Sequence, residues 1–133
     1  MKTKTKFSPA ATQFIDSVLA LKPRIAVFDC DGTLWTGDSG ADFFYWEIEH
    51  GLLPATIVKW ALPRYEDYKR GNVDEETMCG EMVTINAKLP ERRLEEASCE
   101  FFRDVVEHRI FPEMLALTHA LRAAGCQLWA VSS

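Results

Sequence analysis

The run Ile25-Ala-Val-Phe-Asp-Cys-Asp-Gly-Thr33 constrains this chain more than any other stretch: unbroken apolar residues lead into two aspartates, one residue apart, and then a Gly-Thr turn. An apolar run without polar alternation is the pattern of a parallel strand buried on both faces. Open α/β sheets place their ligand sites at the carboxyl ends of such strands. Asp29 and Asp31 are therefore expected at a sheet edge, with Gly32 free to take a backbone conformation closed to other residues and to let a ligand approach the main chain. Two carboxylates so close repel each other unless a cation or a shared proton relieves them. The expected relief is a hard divalent cation such as Mg²⁺, which prefers oxygen ligands and keeps several waters.

The remainder of the chain alternates between helical and strand patterns. Ser8-Pro9 pairs a capping residue with proline at the first helical position, and Phe14, Ile15, Val18 and Leu19 follow at helical spacing. Pro23 ends that helix, and Arg24 to Phe28 forms the first strand. After the aspartates, Asp38 or Ser39 can cap a helix that runs to His50 and stops at Gly51. Its aromatic crowd, Phe43 to Trp46, reads as core. Pro54 opens a helix with an expected kink near Pro63 and a stop at Gly71, and Asp74 caps another in which Val73 and Met78 form a hydrophobic staple. A fourth helix is expected from Glu91 to about Glu107. Strand patterning returns only after Arg109, where a helix over Pro112 to Ala124 leads through Gly125 into a second apolar strand, Cys126 to Val131.

Asp29-Cys30-Asp31-Gly32-Thr33, preceded by its apolar strand and followed by Leu34, resembles the first motif of the haloacid dehalogenase (HAD) superfamily, Asp-x-Asp-Gly-Thr. The resemblance implies a Rossmann-like, parallel-sheet α/β core interrupted by an all-helical cap that closes over the active site and chooses the substrate. Residues 1–36 are then core, 37–108 cap, and 109–133 core again. It further implies that Asp29 is the nucleophile that takes up the phosphoryl group as an aspartyl-phosphate. Asp31 protonates the leaving alkoxide and later takes a proton from the attacking water. The superfamily's phosphatases and mutases carry Asp at that position, whereas its dehalogenases and cation pumps do not. The turn over Asp31, Gly32 and Thr33 is expected to hold phosphate oxygens, and Asp29 and Asp31 to bind Mg²⁺. Ser132, directly after the second strand, matches the superfamily's second motif, where a hydroxyl bonds the transferring phosphoryl group.

The helical insertion and the Val131-Ser132 ending resemble the phosphoserine phosphatase branch. Asp38, nine residues after the nucleophile, matches by offset an acidic residue that this branch uses near the substrate amino group, and it serves equally as a helix cap. Gly32 stands where that branch commonly carries Ser, and Ser133 stands where Gly usually follows the second-motif Ser. Arg64 and Arg70 are candidates for binding a substrate carboxylate. The family's charge-balancing lysine and remaining acidic metal ligand normally lie beyond the second strand, so the 133 residues are expected to be the N-terminal part of a larger enzyme and inactive alone.

Composition excludes several other functions. Net charge is −5 with basic residues scattered, so a nucleic-acid partner is not expected, and no apolar stretch is long enough to span a bilayer. The lysines at 2, 4 and 6 lack a following apolar region, so no secretory signal is expected. Cys30, Cys79, Cys99 and Cys126 form no Cys-x-x-Cys pair, which points to a reduced, cytoplasmic protein, with Cys30 a small apolar filler. His50, His108 and His119 show no ligand spacing. The expected partner is a small phosphorylated metabolite, with oligomeric state open. A phosphotransferase or mutase of the same superfamily, or a non-catalytic domain that keeps the fold, are the alternatives.

Overall fold

Ser8 and Pro9 start the first element as the sequence predicts. In the computed structural model, which describes residues 7–132, Ser8 is the N-cap of α1 (Pro9–Ala20) and its Oγ accepts the Ala11 N–H at 3.1 Å. The lysines at 2, 4 and 6 and Ser133 lie outside the described residues. After Pro23 the chain extends into β1 (Ile25–Phe28), and α6 (Pro112–Ala123) later delivers β2 (Gln127–Ala130) beside it. The two strands are parallel, with Ile25 opposite Gln127 and Phe28 opposite Ala130. Gly125, at φ 84°, makes the left-handed turn that ends α6, a conformation costly for any residue with a Cβ.

These elements belong to one of two compact units, formed by the residues up to Asp38 together with those from Val106. Its core is Leu117, Leu121 and Cys126, packed with Ile15, Val18 and Leu19 of α1 and with Ala26, Phe28 and Leu128 of the sheet. Among the described residues only one face of the sheet is covered. Ile25, Val27 and Trp129 alternate onto the other face and are 52%, 60% and 56% exposed, so the strand is not buried on both sides as its composition predicts. The reason is geometric: α1 and α6 both pack on the face that carries Ala26, Phe28 and Leu128, and successive strand residues point to opposite faces.

The second unit, Ser39–Val105, is wholly helical. It contains α2 (Ser39–Glu49), α3 (Ala55–Lys69), α4 (Glu75–Thr84) and α5 (Glu91–Phe101). Phe44, Leu53, Ala61, Tyr65, Val73, Met78 and Ile85 form its buried core, so the aromatic crowd on α2 is structural, as expected. Asp74 caps α4 by accepting the Thr77 N–H at 2.9 Å. Pro63 lies inside α3, which continues to Lys69 although proline offers no N–H to the ladder. The fourth helix departs from the reading of one run to about Glu107. Regular α-helix ends at Phe101, a π-helical stretch covers Phe102–Val106, and a single 3₁₀ turn covers Glu107–Arg109. Among the described residues no helix is long and apolar enough to cross a membrane.

Candidate active site

β1 ends at Phe28, and the next residues fold into a tight loop organised around one carbonyl. The Cys30 C=O accepts the N–H groups of Thr33 at 3.1 Å, Leu34 at 2.8 Å and Trp35 at 3.4 Å, while the Gly32 N–H donates to the Trp35 C=O at 2.7 Å. Gly32 sits at φ 75°, and a Cβ there would meet nothing within 4 Å. Its requirement is therefore the backbone conformation itself and not space. The loop is fastened at its far end, where the Thr36 N–H donates to the Arg109 C=O at 3.2 Å and the Phe111 N–H donates to the Leu34 C=O at 3.0 Å.

That framework orients two carboxyl groups. Thr33 Oγ1 donates to Asp29 Oδ2 at 3.0 Å, and the Trp35 indole Nε1 donates to Asp31 Oδ1 at 2.6 Å. Asp29 is exposed and Asp31 half-buried, so neither carboxyl is withdrawn from an incoming ligand. Both bonds span four residues, because the turn doubles the chain back on itself. Between the aspartates, Cys30 is buried, and burial, followed by the charges of Asp29 and Asp31, pushes its thiol above the ordinary value. A thiol held protonated and out of solvent is a packing residue, which agrees with the sequence reading of Cys30.

The parallel register sets the end of β2 next to this loop. The Val131 N–H donates to the Phe28 C=O at 2.9 Å, so Ser132 and Asp29 emerge from adjacent strands at the same carboxyl edge. The N–H groups of Gly32 and Thr33, expected to face a phosphate, are paired within the loop, and phosphate oxygens would have to compete for them. Asp38 directly precedes α2. In the helical unit Arg64 meets Glu81 in a two-pronged ion pair, with Nε to Oε2 at 2.7 Å and Nη2 to Oε1 at 2.9 Å, which ties α3 to α4. That pairing raises the guanidinium's pKa and lowers that of the Glu81 carboxyl. Arg70 makes a longer contact to Asp67 at 3.4 Å on the exposed surface of α3. Among the described residues no three His, Cys, Asp or Glu side chains gather into a metal site.

Sequence reasoning missed Trp35. The available signal was its distance of four residues from Asp31 across a Gly-Thr turn, the spacing that also joins Thr33 to Asp29.

A family model for haloacid dehalogenase-like hydrolases matches residues 26–133, from within β1 through the end of β2. The chain belongs to the haloacid dehalogenase-like hydrolase family. No curated protein and no solved structure matches it. The mixed α/β architecture, with a short parallel sheet and a run of helices, is consistent with part of the Rossmann-like core of these hydrolases together with a helical region. Membership makes phosphatase-type hydrolysis the general activity expected of the chain.

Proposed function

We propose that the protein is a Mg²⁺-dependent phosphomonoester hydrolase that works through an aspartyl-phosphate on Asp29. The observation that carries this reading is the pair of oriented carboxyl groups at the end of β1, each held by a donor four residues further along. Asp29, exposed at the strand end and oriented by Thr33, attacks phosphorus, which splits one displacement into two easier ones. Asp31 supplies the proton to the departing alkoxide and then accepts one from the water that cleaves the phosphoenzyme. Trp35 is a positioning residue: its indole N–H fixes the Asp31 carboxyl. Ser132, with the loop from Gly32 to Thr33, contacts the phosphoryl oxygens.

The donor set suits a hard cation, since Asp29 and Asp31 bring carboxylate oxygens and Cys30, the one soft ligand between them, is buried and protonated. Bound there, Mg²⁺ would offset the charge that the phosphate and the two carboxylates bring together. We further propose that the helical unit acts as a substrate-selecting cap and that the substrate is a small phosphorylated metabolite of phosphoserine type. Asp38 and Arg70 are the candidate recognition residues, whereas Arg64 is engaged by Glu81. The four cysteines are free, which supports a cytoplasmic location.

Trapping tests the reading. Incubation of the gene product with Mg²⁺ and beryllium fluoride, a mimic of the acyl phosphate, should protect or modify Asp29 alone, and Asp29→Asn should abolish both trapping and phosphate release. A fully active Asp29→Asn variant would sink the proposal. Transfer of the phosphoryl group to a second alcohol in preference to water would reassign the protein as a phosphotransferase.

A further inference from the structure

The helical unit holds a cleft of about 310 Å³ whose lining includes Phe43, Phe44, Glu47, Met82, Asn86 and Leu94. A volume of this size is at the lower end of the range for small-molecule sites, roughly 300 to 1,000 Å³. Glu47 on α2 is only 2% exposed, and its Oε1 has no hydrogen-bond partner among the described residues. The same is true of Oδ1 of Asn86, in the turn after α4. The Asn86 amide hydrogen-bonds the Glu47 carboxyl, and it also reaches the Met82 C=O at 3.5 Å. Two acceptor oxygens, joined through one carboxyl–amide pair, are thus left without a donor.

Buried polar atoms are almost always satisfied, because leaving one unpaired forfeits its bonds to water without replacement. What the pair lacks is a group that only donates. An ammonium offers three N–H bonds, accepts none, and carries the charge that a carboxylate attracts. Apart from Ser98, whose hydroxyl donates to the Leu94 C=O at 2.8 Å, the rest of the lining offers no polar side chain, so the molecule bearing that group needs an apolar body. We propose that this cleft binds a small organic ammonium with an apolar body, its head bonded to Glu47 Oε1 and Asn86 Oδ1 and its body against Phe43, Met82 and Leu94.

Three features support this assignment. Glu47 is the one ionisable side chain in the lining, so no lysine or arginine competes for the carboxylate. Burial raises the Glu47 carboxyl to about 7, partly offset by the Asn86 bond, so a cation beside it would regain the ionised form near neutrality. The aromatic wall is fixed in advance, with Phe43 stacked on Trp46 at 6.1 Å and tilted against Phe101 at 5.1 Å. Glu47 and Asn86 both line the cleft, so a ligand that enters it lies against the residues that carry the two unpaired oxygens. The inference is independent of the phosphatase reading, because neither Asp29 nor Asp31 takes part.

Calorimetric titration at pH 8 with 2-phenylethylammonium and, separately, the uncharged 2-phenylethanol tests it. The ammonium should bind saturably, at one site, and at least tenfold more tightly than the alcohol. Glu47→Gln should lower its affinity to that of the alcohol. Val83→Trp changes a 76% exposed residue of the cleft lining, leaves the carboxyl untouched, and should block both compounds. That second variant decides the matter if Glu47→Gln does not fold. Equal affinity for the two compounds, no saturable binding of either, or ammonium binding that persists unchanged in Val83→Trp would each overturn the proposal.

Discussion

At the end of β1 two carboxyl groups stand near the surface, each answered by a side-chain donor four residues along; in the helical unit Glu47 lies in an apolar interior with one oxygen unanswered. The contrast separates two ways of handling a carboxyl group. Short-range donors orient Asp29 and Asp31 without burying them, so they stay accessible while their rotamers are restricted. Burial among Phe44, Met82 and their neighbours instead penalises the charged form of Glu47 and holds its pKa near 7. The first arrangement suits a group that must meet a substrate in a defined direction. The second suits one that gains from a cation brought to it.

The largest effect should come from removing the proposed nucleophile. Asp29→Asn is expected to lower phosphate release by at least about 10⁴-fold, as loss of a covalent nucleophile does elsewhere. Circular dichroism should be unchanged, because only the one bond from Thr33 Oγ1 is altered. A small loss would erase the distinction between the β1 carboxylates and an ordinary solvated pair.

Asp31→Asn should cost about 10²- to 10⁴-fold on alkyl phosphates, the range of a lost general acid. With aryl phosphates, whose leaving groups need little protonation, the loss should shrink. Equal losses on both ester classes would assign Asp31 a structural part. Trp35→Phe sharpens this further. It keeps an aromatic ring and removes the 2.6 Å hydrogen bond, so a reduction of roughly 10- to 100-fold in kcat on alkyl phosphates is expected, from the 1.5–3 kcal/mol of a bond to a charged group. KM and the turnover of aryl phosphates should change little. A uniform loss on every substrate, accompanied by a lower Tm, would make Trp35 a packing residue only. An unchanged Trp35→Phe beside an inactive Asp31→Asn would remove the positioning role and leave the acid–base assignment intact.

The smallest effect is on stability. Because the folded-state pKa of Glu47 lies above its ordinary value, its contribution is fully present below about pH 4.5 and is lost as pH rises through about 7. The shift corresponds to at most about 3 kcal/mol. Denaturant melts should show stability falling between pH 5 and pH 8, and Glu47→Gln should flatten that slope. Glu66, Asp74 and Glu81 have lowered pKa values and lose their contributions at more acid pH, while Cys30, raised above 9.0, acts at more alkaline pH. A slope that survives Glu47→Gln would mean that the carboxyl is not the group being forced to ionise.

Much of this arrangement is legible in residue order. The Ser8-Pro9 start, the Asp74 cap and the stop at Gly125 are local devices, satisfied within a few residues, and each occurs where the sequence predicts. The aspartates at the end of β1 follow from the same kind of reasoning, since an apolar strand that runs into Asp-x-Asp-Gly-Thr has few other ways to fold. The π-helical stretch after Phe101 was not legible, because the heptad-like spacing of Leu94, Ala97, Phe101 and Val105 does not distinguish an α-helix from one that widens by a residue per turn. Nor was the one-sided cover of the sheet, since an apolar strand does not say how many helices reach it.

What the sequence determined by itself is therefore the set of elements and the chemical types at the end of β1: caps, turns, strand periodicity and paired carboxylates all act over distances of a few residues. The tertiary structure decided the partners. Only the folded turn brings the Trp35 indole to Asp31, and only the packing of α2 beside the turn after α4 shuts the Glu47 carboxyl in with Asn86, away from water. A hydrogen bond or a desolvation penalty depends on which groups meet and on what they exclude, and both are properties of the fold that linear spacing does not carry.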